Sequence, residues 1–191
     1  MTLLIIGLAL WVAAHLFKRL APGTRSDMTA RMGNKSKSYF AILILVAVAL
    51  IILGYRGIYD GTDMVTVYGP LPGAYPLNNL AMLVALVTYS AGMSKGVIWT
   101  WVRHPQLWGV TIWAAAHLLV RGDLAAVMLF GTLLVWSQVT IALINREEGP
   151  WQRPAAGAVT RDLVMVAGVV VAYGILTFIH MELGLNPFQG A

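Results

Sequence analysis

Residues Arg103 to Asp123 read RHPQLWGVTIWAAAHLLVRGD, with His104 at the mouth of an apolar run and His117 well inside it. Trp113, Ala114, Ala115 and Ala116 precede His117, and Leu118, Leu119 and Val120 follow it. An ionisable ring is costly in hydrocarbon unless a partner satisfies it. Pro105 suits the first turn of a helix, where its missing N–H is no loss, and Arg103 beside it can reach lipid phosphate. The stretch therefore predicts a membrane helix that carries a candidate ligand.

Working outward, the chain of 191 residues is 59% hydrophobic and 11% charged, with a mean hydropathy of +0.74. These values predict an all-α, polytopic integral membrane protein. A span needs about 20 apolar residues. Six stretches come near it: Thr2 to Phe17, Tyr39 to Tyr55, Leu77 to Ser90, Leu107 to Val120, Leu124 to Asn145 and Leu163 to Met181. The first, third and fourth are short, which predicts tilt or a recessed end. A bundle of about six transmembrane helices, forming a single membrane domain over residues 1–191, follows. No internal repeat, low-complexity tract or soluble domain stands out. Pro70, Pro72 and Pro76 with Gly69 and Gly73 mark the second loop as irregular.

The chain has no cysteine. Disulfides, thiolate-ligated haem, all-Cys iron–sulfur clusters and Cys-based zinc sites are excluded, leaving His and carboxylates as the strong metal ligands. Eleven of the 13 Lys and Arg fall in the first, third and fifth loops; Arg56 and Arg121 lie on the other side with Asp60, Asp63, Asp123 and Glu182. Positive loops stay cytoplasmic, so both termini are expected outside the cytoplasm, in a bacterial inner membrane. The same asymmetry accounts for the +5 net charge without nucleic acid, which is not an expected partner. Because the first apolar run has its positive charges after it, it reads as a retained helix, unlike a signal peptide.

Trp11, Tyr39, Tyr55, Trp99, Trp101, Trp108 and Trp151 stand near predicted span ends, where amphipathic rings favour headgroups. Four histidines remain. His104 serves equally as an interfacial cap or a ligand, His15 as a snorkelling or a buried group, and His180 reads as a wet helix end. His117 is the strongest candidate for ligation or proton handling, against a purely structural interhelical hydrogen bond. Gly109, Trp113 and His117 lie on one ridge, while His104 points roughly 140° away from His117. Gly109 and the three alanines suit either a planar cofactor or tight helix packing.

The pattern RHPxxWG...WxxAHLLxxGD, with AHLFKRLAPG at the end of the first helix, resembles the NnrU family from about His15 to Arg146. That family comprises six-helix membrane proteins associated with nitric oxide and nitrite metabolism in denitrifying bacteria. It includes the plant zeta-carotene cis-trans isomerase, which binds b-type haem through two histidines. The resemblance implies a b-type haem with iron ligated by His15 and His117; Arg103, His104, Gly109 and Trp113, from their places along the helix, are the surrounding cofactor-site candidates. It implies nitric oxide, or a hydrophobic polyene, as the small-molecule partner. The chain departs from the isomerase by lacking its long N-terminal extension and by having Phe17 to Leu20 where the relative has small residues.

Depth favours other pairings. His15 is about 4 to 5 Å of helix rise from Lys18, whereas His117 is about 15 to 20 Å above the same face, so His15 with His104, or His117 with His180, is easier on depth alone. Two further readings stand beside haem binding. Arg103, His104 and Glu147 or Glu148 resemble the S-adenosylmethionine site of membrane methyltransferases, although Leu107 and Trp108 replace the usual Tyr. A non-catalytic assembly partner of a respiratory membrane complex would use its histidines for packing only. Ser137, Gln138 and Thr140 fit all three readings.

Overall fold

The computed structural model describes residues 1–59 and 64–188; Asp60 and Asp63, assigned above to the outer side, lie outside the described residues. Among the described residues there are seven α-helices: α1 (Thr2–Leu20), α2 (Pro22–Met32), α3 (Lys35–Tyr59), α4 (Ala74–Ser94), α5 (Pro105–Val120), α6 (Leu124–Glu148) and α7 (Val159–Glu182). A 3-10 turn at Ile98–Trp101 precedes α5, and no strand occurs among the described residues beyond an isolated bridge between Thr66 and Asp123.

Six of the helices stand where the six apolar stretches were read, and five are long and apolar enough to cross a membrane. α5 has 16 residues, or about 24 Å of rise against about 30 Å of hydrocarbon, and falls short by itself. α2 is additional. Its sequence PGTRSDMTARM buries no residue and begins with Pro22 at the first helical position, where that ring is tolerated.

The Cα packing divides the chain into two units. The first comprises Met1–Thr66 with Asp123–Thr132, the start of α6. Here α1 and α3 meet backbone to backbone. A side chain at Gly7 would come within 2.8 Å of the Ile51 nitrogen, and one at Gly54 would strike the backbone of Leu4. With no hydrophobic drive between helices in lipid, such close approach supplies the van der Waals contact that holds them. Leu4, Leu8, Ile58 and Ala125 form its buried centre, with Ile51, Tyr55, Met128 and Leu129 packed around them. Asp123 caps α6, its Oδ1 accepting the Ala126 N–H at 2.8 Å.

The second unit comprises Val67–Gly122 with Leu133–Ala191, and its α4 packs against both α5 and α7. Gly92 faces Pro105 and Gly109 faces Ala85 and Tyr89, which sets α4 and α5 antiparallel. The C-terminal end of α5 is closed by Tyr68, whose hydroxyl donates to the carbonyls of Leu118 at 2.6 Å and Arg121 at 3.1 Å. Ahead of α5, the connection is tied to α7 by Asp162. Its Oδ2 accepts the N–H groups of Val97 at 2.6 Å and Ile98 at 3.2 Å.

Candidate functional site: two tryptophan–histidine turns

His117 lies in the last turn of α5, partly buried, and its Nδ1 is 2.9 Å from the carbonyl oxygen of Trp113. A carbonyl can only accept, so Nδ1 carries the proton and Nε2 carries the lone pair of the neutral ring. The Trp113 and His117 rings pack at 5.2 Å between centroids, inclined at 58°. Trp113 thus contributes twice, with its carbonyl fixing the tautomer and its indole limiting the ring's rotation.

His15 repeats this arrangement in the first unit. Its Nδ1 donates to the Trp11 carbonyl at 2.9 Å, and the two rings lie 4.1 Å apart at 33°. The sequences are LWVAAHLF over residues 10–17 and IWAAAHLL over residues 112–119. This eight-residue likeness corrects the expectation that the chain has no internal repeat. The signal was present as Trp, two intervening alanines or more, His and Leu at one spacing. Helical geometry explains why spacing matters, since residues four apart stack on one face.

His180 also sends Nδ1 to the carbonyl four residues back, that of Leu176, at 2.7 Å, but no aromatic ring precedes it there. His104 is placed elsewhere. It occupies the N-cap position of α5 and its Nε2 bonds Asn145 Oδ1 at 2.8 Å. Arg103 donates from Nη1 to the Gly149 carbonyl at 2.7 Å and faces Glu148 across 3.7 Å. Arg103, His104, Glu148, Pro150, Trp151 and Gln152 line an open cleft of about 340 Å³.

Of the two uses left open for Gly109, the structure shows helix packing. A Cβ there would stand 2.6 Å from Tyr89 Cβ and 2.9 Å from the Ala85 carbonyl, so α4 fills that space. No group of three or more His, Cys, Asp or Glu converges among the described residues, so the candidate donors are histidines taken singly or in pairs.

A family model described as NnrU protein matches residues 3–187, nearly the whole chain. No curated protein and no solved structure matches it.

Proposed function

Since the chain belongs to the NnrU family, we propose that it is a multi-pass membrane haem protein of nitric oxide and nitrite metabolism, in which His15 and His117 would hold the iron of a b-type haem. The observation that carries this reading is the matched pair of tryptophan–histidine turns. Each holds a neutral imidazole with its proton on Nδ1 and its lone pair on Nε2, the form that ligates iron. The donor set fits the group, because a haem takes two axial imidazoles and the chain has no thiolate to compete. When bound, a bis-imidazole haem supplies one-electron transfer, or a gas response where one ligand is displaced.

The residues around the two rings orient them. Trp11 and Trp113 pack on them and restrict their rotation. The skewed distribution of Lys and Arg supports insertion in a bacterial cytoplasmic membrane with both termini on the periplasmic side. The test is the oxidised and reduced absorption spectrum of detergent-purified protein. We expect a low-spin haem spectrum that is lost or converted in His15→Ala and in His117→Ala, and a shift of the reduced spectrum with nitric oxide. No haem after expression with ample haem supply would overturn the reading.

A second reading, methyl transfer from S-adenosylmethionine, is supported by the cleft that gathers Arg103, His104 and Glu148. Thermal stabilisation by saturating S-adenosylmethionine, absent in Arg103→Ala, would favour it over the first.

A further inference from the structure

Thr111 on α5 and Ser137 on α6 sit 2.9 Å apart by their hydroxyls, and Thr111 Oγ1 accepts Gln138 Nε2 at 2.7 Å. Ser137 is fully buried, whereas Gln138 is exposed. Gln138 stands seven positions before Asn145, where the apolar part of α6 ends, which is about 10 Å of rise and so inside the hydrocarbon. A carboxamide has two N–H donors and an oxygen with two lone pairs. Among the described residues one of these is met, by Thr111.

We infer that a second copy of this chain packs on this face of α6, with the two Gln138 carboxamides hydrogen-bonded to each other. A carboxamide is self-complementary, since it presents a donor and an acceptor side by side. Two copies inserted in the same orientation are related by a two-fold axis along the membrane normal. That axis makes their α6 helices parallel and sets both Gln138 side chains at one depth, as reciprocal N–H···O pairing requires. The flanking positions on the same stripe are Val135, three residues before, and Ala142, four after, and both are exposed. Small and mid-sized residues there allow the close helix approach that membrane interfaces use. The inference is independent of the haem reading.

The absence of cysteine makes the test direct, because any introduced thiol is the sole one. Val135→Cys and Ala142→Cys are oxidised in native membranes, with Val164→Cys, on an exposed position of α7, as the collision control. Disulfide-linked dimer is expected at residues 135 and 142, severalfold above the control, and Gln138→Leu in the Val135→Cys background should return it to the control level. Thr111→Val removes the intrachain bonds to Leu107, Ser137 and Gln138 and should leave the cross-link in place. Cross-linking at 135 and 142 no better than at 164 overturns the proposal, as does a dimer unchanged by Gln138→Leu. If Gln138→Leu fails to fold, shown by lost helicity, the comparison of 135 and 142 with 164 decides alone.

Discussion

Gly96 and Asp162 contend for one volume: a side chain at residue 96 would run into the Asp162 carboxylate. That carboxylate cannot step aside without releasing the Val97 and Ile98 N–H groups it accepts. Gly157 adds a further tie, its N–H donating to the Gly96 carbonyl at 2.9 Å. The approach to α5 is thus fastened to the start of α7 by the Asp162 carboxylate and, just before that helix, by Gly157.

Gly96→Ala is therefore expected to destabilise by about 1–3 kcal/mol, the usual cost of overpacking. Asp162→Ala should cost a similar amount, about 1–3 kcal/mol, by leaving two N–H groups unmet. Because both act on one contact, Gly96→Ala should cost less in the Asp162→Ala background than alone. Thermal unfolding of the four proteins in detergent checks the cycle; additive losses would refute the shared volume.

Gly54→Ala should loosen the seam of α1 and α3, again at about 1–3 kcal/mol, since the obstacle is the rigid backbone of Leu4. Gly168 in α7 meets nothing within 4 Å. Gly168→Ala should be neutral or stabilising, by up to about 1 kcal/mol, through helix propensity. Opposite signs in the two melting temperatures are the expected outcome.

Tyr68→Phe removes the hydroxyl that serves the Leu118 and Arg121 carbonyls. The loss should be about 0.5–1.5 kcal/mol, with faster amide exchange at the end of α5. Unaltered exchange there would show that the cap is held without it.

Arg103→Ala should leave haem retention unchanged, since Gly149 and Glu148 already engage the guanidinium. His104→Ala should likewise leave the absorption spectrum unchanged, its Nε2 being directed at Asn145. A lost Soret band in either variant would move the haem site toward the start of α5.

Much of the fold was legible because membrane spans declare themselves through uninterrupted apolar runs. Pro105 marked the start of α5 for a local steric reason, and the structure begins the helix there. α2 was not legible, because its polar sequence has no apolar periodicity and buries nothing. The role of Asp162 was hidden for a different reason, as its partners lie 64 and 65 residues earlier in the chain. His117 stood out through its apolar setting. Its likeness to His15 did not, because the match runs over only eight residues and depends on the carbonyl four places back, which no residue type announces.

The seam of α1 and α3 has a consequence for synthesis. Both partners lie within residues 2–59, so the nascent chain can bury Leu4 against Gly54 before α4 leaves the ribosome. Once residue 59 has cleared the ribosome, and while α4 is still within it, a paired hairpin can already stand in the membrane, and the start of α6 would arrive onto a surface prepared for it.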